Sequence, residues 1–147
     1  MPTYRTPDVY IEEISVFPPS VAEVETAIPA FVGYTANTTL VTAGDLVNAP
    51  RRIKSLLEFE SYYGRGPTYT VTRANLDEAG NFLSAEIANS YVMYDSLRLF
   101  YDNGGGDCYI VSTGAYKTAG SPVDRDELKA GVQAVAKVDE PTILLFP

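Results

Sequence analysis

The run Asp102-Asn103-Gly104-Gly105-Gly106-Asp107 has residue types suited to two kinds of chemistry: glycine amides can cradle a phosphate, and carboxylates around a turn can ligate calcium. Spacing argues against both. A calcium loop opened by Asp102 needs a glutamate where Thr113 stands. A dinucleotide fingerprint needs its glycines between a strand and the following helix, whereas these lie between a helical pattern and the following strand. They would enter that strand's amino end, and open α/β sheets bind ligands at the carboxyl ends. A glycine helix stop accounts for the run. Beyond the strand, Gly114-Ala115-Tyr116-Lys117-Thr118 carries the lysine and threonine of a phosphate loop, but Tyr116 replaces the glycine before the lysine and the upstream glycine is missing.

The remaining candidates are weaker. Glu12 and Glu13 are neighbours in a strand pattern, so they point to opposite faces and cannot converge on one bond; they suit a charged strand edge. Arg51 and Arg52 are too few for a nucleic-acid patch. The single cysteine, Cys108, opens an apolar strand, and the chain has no histidine to activate it, to complete a triad or to join the usual zinc sites. No catalytic, cofactor-binding or metal-ligating set emerges. With 11 basic and 19 acidic residues among 147, the net charge of −8 opposes nucleic-acid and anionic-membrane partners. The start carries no signal-peptide pattern and no apolar run nears the roughly 20 residues of a membrane span, so synthesis and folding in the cytoplasm are expected.

The elements that would position such groups alternate strand and helix. Ala27 to Thr35 supplies a strand expected to begin near Ala30, after Pro29. Residues 37–48 form a loop. Ser55 and Glu58 make a capping box for a helix carrying Leu56, Phe59 and Tyr63, closed at Gly64. Residues 69–72 alternate as a short strand, 75–81 form a turn-rich excursion, and 90–94 read as a strand. Asp95 or Ser96 then caps a helix with Leu97, Phe100 and Tyr101, ended by Gly104. Residues 108–112 form an apolar strand; Asp124 and Glu127 cap a third helix through Leu128, Val132 and Val135. The final run Thr142-Ile143-Leu144-Leu145-Phe146 reads as a strand buried on both faces. Domains seldom end on such a strand, so the sequence is expected to be the amino-terminal part of a longer protein. The class is α/β, a mixed, largely parallel sheet with flanking helices.

Ahead of this body, Val9 and Ile11 alternate with Tyr10 and Glu12 in a β-branched, aromatic segment set off by Pro7 and by Pro18-Pro19. Tyr4, Val9, Tyr10, Ile11, Glu12, Glu13 and Ile14 are expected to form an inter-subunit arm that adds a strand to a neighbouring copy. Residues 1–25 are then arm and linker, and 26–147 the incomplete body. The eleven tyrosines suit an assembly protein, and an unusual core composition accounts for them nearly as well.

The run Tyr4-Arg5-Thr6-Pro7-Asp8-Val9-Tyr10-Ile11-Glu12-Glu13-Ile14, then Phe17-Pro18-Pro19-Ser20-Val21 and Ala27-Ile28-Pro29-Ala30-Phe31-Val32-Gly33-Tyr34-Thr35, resembles the start of contractile tail sheath proteins of phage tails and tail-like extracellular injection systems. The similarity continues through Ile53-Lys54-Ser55, Glu58-Phe59-Glu60 and Tyr63-Gly64, then through Ser96-Leu97-Arg98-Leu99-Phe100-Tyr101-Asp102-Asn103-Gly104-Gly105-Gly106 and Cys108-Tyr109-Ile110-Val111. Residues 37–49 and 68–89 look like variable insertions. The resemblance implies a non-enzymatic subunit whose hexameric rings stack helically around an inner tube protein, with baseplate and cap proteins at the ends. It also implies terminal arms that join a neighbour's sheet, and assembly in the bacterial cytoplasm. A rival reading is a small α/β nucleotide-binding or enzymatic domain with a swapped amino-terminal strand.

Overall fold

The computed structural model describes residues 27–88, 91–118 and 121–147. Among these, a four-stranded sheet has the order β2-β5-β1-β6, with β1 Ile28–Thr35, β2 Arg51–Ile53, β5 Cys108–Ala115 and β6 Pro141–Leu145. β5 and β6 flank β1 and run parallel to it, and only the short β2 is antiparallel. The expected mixed, largely parallel α/β sheet is present. β1 starts at Ile28, two residues before the expected point. Pro29 sits where the β1–β6 register shifts, an irregularity that tolerates a residue without an amide proton.

The two sheet faces hold separate cores. On one, Phe31, Ile53, Cys108 and Ile110 pack with Phe59 and Tyr63 of α1 (Leu56–Tyr63) and Met93 and Leu97 of α2 (Met93–Asp102). On the other, Ala30, Val32, Tyr109 and Val111 pack with Ala134 and Val135 of α3 (Arg125–Val135). Gly131 brings α3 close to the sheet: a Cβ there would stand 2.6 Å from Val32 Cγ1 and 2.8 Å from Thr113 Cγ2.

Local capping chemistry sets the helix ends. Ser55 Oγ accepts from the Glu58 amide at 3.2 Å, while Glu58 Oε2 accepts from the Lys54 amide at 2.9 Å, one residue earlier than in a strict capping box. Asp124 Oδ1 accepts from the Asp126 amide at 2.8 Å, opening α3 as expected. The glycine run closes α2 as a Schellman motif: the Gly105 amide donates to the Phe100 carbonyl at 2.9 Å and that of Gly104, at φ 82°, to the Tyr101 carbonyl at 3.0 Å.

Four expectations need correction. Met93 and Tyr94 belong to α2 and not to a strand; the cap position is Val92, without a side-chain cap. Burial of Met93 and Leu97, one helical turn apart, outweighs the strand propensity of Tyr-Val-Met, and Asp95 instead accepts from the Tyr69 hydroxyl. Residues 69–81 do not form a short strand and an excursion. They open a hairpin of β3 Val71–Leu76 and β4 Phe82–Ile87, and Asp77 Oδ1 accepts from the amides of Ala79 (2.9 Å) and Asn81 (2.7 Å) to set its turn. β5 runs three residues past Ser112, paired with β1 to its end. Finally, β6 is not buried on both faces, because it lies outside β1 while α3 packs on β5 and β1.

Candidate assembly surfaces

The carboxyl ends of β1 and β5 are where a ligand site of an open α/β sheet belongs. Aromatic rings fill that place here. Tyr91 packs against Tyr34 and stacks on Tyr116, each at 5.2 Å between ring centres. Burial pushes the Tyr116 hydroxyl up to about 12. Lys117, the lysine of the imperfect phosphate loop, is bound to Glu127 Oε2 at 2.7 Å and lies over the Tyr34 ring. Glu127 also accepts from the Tyr34 hydroxyl. The loop's cation thus completes a structural tie between β5 and α3.

That tie makes a pH prediction. Lys117 first, and then Tyr34, hold the Glu127 carboxyl below its ordinary value of 4.5. A carboxylate depressed in the fold contributes stability that is complete above its unfolded value and is lost as pH falls through the native one. The stability difference between the protein and Glu127→Gln is therefore expected to be flat above pH 4.5 and to shrink below it. Because the side chain is 38% exposed, the difference is at most about 1 kcal/mol. Urea midpoints measured across pH check this.

Cys108 is fully buried, 3.2 Å from the Tyr101 hydroxyl, and burial pushes its thiol up to about 11. It is an inert core residue, as its place in an apolar strand suggested. Arg51 lies over the Tyr62 ring, 4.6 Å from its centre. Arg52 bonds Asp107 at 2.7 Å and Glu140 at 2.9 Å, joining β2 to the segments before β5 and β6. Among the described residues, no group of three or more histidine, cysteine, aspartate or glutamate side chains could hold a metal ion, and no helix is long and apolar enough to cross a membrane.

The surface chemistry that does stand out is apolar. The two sheet edges differ. β2 is three residues long, follows Pro50 and carries Arg52, features that discourage strand pairing. β6 is five residues, pairs with β1 among the described residues, and exposes Ile143 (45%), Leu144 (44%) and Leu145 with no charge between Pro141 and Pro147. Register assigns the faces: Leu145 lies beside Phe31 and so faces the α2 side, and Leu144 lies beside Ala30 on the α3 side. On the α2 side, Phe31, Leu145, Leu99 and Phe100 line an open groove that ends at the glycine turn. The second apolar surface is the β3–β4 hairpin, all twelve of whose strand residues are exposed.

Tyr4, Val9, Tyr10, Ile11, Glu12, Glu13 and Ile14, the expected arm, lie outside the described residues. Sequence reasoning missed the groove and the hairpin face. The alternation Leu83, Ala85, Ile87 was the available signal for the latter.

No family model matches the chain, and no curated protein matches it. Among solved structures the chain is similar to the helical sheath of the anti-feeding prophage, determined by cryo-electron microscopy in the contracted state. The match has 26% identical residues and a TM-score of 0.48, over 99% of this chain and 32% of that one. The chain spans about a third of the sheath chain it matches.

Proposed function

We infer that the chain is a structural, non-enzymatic part of a contractile sheath subunit, one that stacks as rings around an inner tube and shortens to drive the tube through a target envelope. The observation that carries this reading is the ordered series of sheath-like segments and its relation to the fold. The segments of the series within residues 27–147 contribute β1, half of α1, most of α2 with its glycine stop, and half of β5, which together hold most of the buried core. The two stretches that look like insertions, 37–49 and 68–89, contain a surface loop and the exposed hairpin.

Physical chemistry supports the same reading. A sheath needs heterologous contacts that repeat without closing, and it needs stiff bodies that reorient while remaining linked. An α/β body with an apolar outer strand, preceded by a strand-patterned segment between prolines, has the parts for this. The rival, a nucleotide-binding domain, is disfavoured by the tyrosines filling the ligand position and by the pairing of Lys117 with Glu127. The test is electron microscopy of the purified assembly together with a nucleotide titration. Tubes of stacked rings without saturable nucleotide binding are expected; a finite particle that binds nucleotide would replace this reading by the rival.

A further inference from the structure

All twelve strand residues of the β3–β4 hairpin are exposed, so the hairpin projects from the body and its own length does little to fix its direction. What holds it lies at the base. There the ladder closes with the Ala88 amide donating to the Thr70 carbonyl at 2.9 Å, and below that bond the two legs run separately to the body. Both legs meet tyrosines.

The incoming leg is gripped at three points. Gly66 lies against the Tyr94 ring so closely that a Cβ there would stand 2.7 Å from Cδ1. The Arg65 carbonyl accepts from the Tyr116 hydroxyl at 3.4 Å. Tyr69, the residue before the last ladder bond, donates its hydroxyl to Asp95 in the first turn of α2, and the same oxygen stands 3.3 Å from the Tyr91 carbonyl of the outgoing leg. One phenol thus touches both legs and the helix.

The outgoing leg ends on Tyr91, which is 8% exposed; its ring stacks on Tyr116 and packs on Tyr34, and its hydroxyl accepts from the Lys117 amide at 3.4 Å. Tyr116 is itself fixed to β1, its amide donating to the Thr35 carbonyl at 3.0 Å. Tyrosine suits such a joint because its ring is stiff, with two torsions to order, and its hydroxyl reaches a polar partner beyond the apolar body. The rings that fill the ligand position of the sheet therefore have a second use.

We propose that Tyr69, Tyr91 and Tyr116 form a socket that sets the direction of the β3–β4 hairpin on the body, making it a fixed projection and not a swinging loop. The tie continues through Tyr34 and Lys117 to Glu127 in the first turn of α3, so hairpin, sheet mouth and the start of α3 keep one mutual arrangement. The socket belongs to the body alone and holds whether or not the chain is part of a sheath.

The test is a distance measured by pulsed electron paramagnetic resonance on the full chain, with spin labels at Glu78→Cys in the hairpin turn and Lys129→Cys on the exposed side of α3. Cys108 is fully buried and stays unlabelled. A single narrow distance is expected in this parent. Tyr69→Ala and Tyr116→Ala, neither of them a fully buried residue, are each expected to lose that peak and give a broad distribution, while circular dichroism shows the body still folded. Leu83→Ala, on the hairpin but outside the socket, should keep the parent's peak. A parent that is already broad, or a folded Tyr69→Ala or Tyr116→Ala that keeps the narrow distance, would overturn the proposal, as would equal broadening in Leu83→Ala.

Discussion

Val9→Pro with Ile11→Pro is expected to abolish ordered tubes, whereas Tyr10→Pro with Glu12→Pro distinguishes how the arm is held. In an extended strand the amides of residues 9 and 11 point to one side and those of 10 and 12 to the other. Proline removes a ladder donor, and each lost backbone hydrogen bond costs about 1 kcal/mol net, with further cost if the proline ring clashes with the neighbour. Two such losses at every subunit contact weaken each contact by about thirtyfold or more. A lattice built from repeated weak contacts does not survive that. If the arm is an outer strand, one pair of substitutions destroys assembly and the other is tolerated. If it is inserted between two strands, both destroy it. Normal tubes in electron micrographs of both double variants would remove the arm from the account.

Much of the fold was legible because the signals are local. Ser55 with Glu58, Asp124 with its following amides, and Gly104 after α2 each act within a few residues, so sequence alone locates these three helix ends. The start of α2 was not legible, since Val92 offers no capping oxygen and Tyr-Val-Met favours a strand until the burial of Met93 and Leu97 decides otherwise. The hairpin was missed because its turn is a five-residue loop pinned by Asp77, without the Asn-Gly pair that marks a tight connection.

The surfaces were the least legible part. Ile143-Leu144-Leu145 says that both faces of β6 call for cover, but which helix reaches that far follows from the order β2-β5-β1-β6 and is written in no single segment. The same holds for the tyrosines. Their number suggested an interface, yet Tyr34, Tyr91 and Tyr116 come from three separate segments to fill the mouth of the sheet. The groove at Leu99 likewise gathers residues of three separate elements, Phe31 of β1, Phe100 of α2 and Leu145 of β6.

The largest stability effect is expected from Phe59→Ala. α1 has eight residues, too short to persist in water by itself, so its helicity depends on what it buries. Phe59 has no exposed surface; its ring stacks on Tyr63 at 5.2 Å and meets Tyr94 at 6.3 Å, in the core that includes Phe31, Leu97 and Ile110. Truncating a buried phenylalanine costs about 3–5 kcal/mol, a large fraction of the roughly 5–15 kcal/mol by which a domain is stable. Leu57→Ala, two positions away on the exposed side, is expected to stay within about 0.5 kcal/mol. Urea unfolding followed by circular dichroism compares them, and equal midpoint shifts would contradict the packing described. Because Phe59 also holds α1 against α2, its loss loosens the layer that carries Leu99.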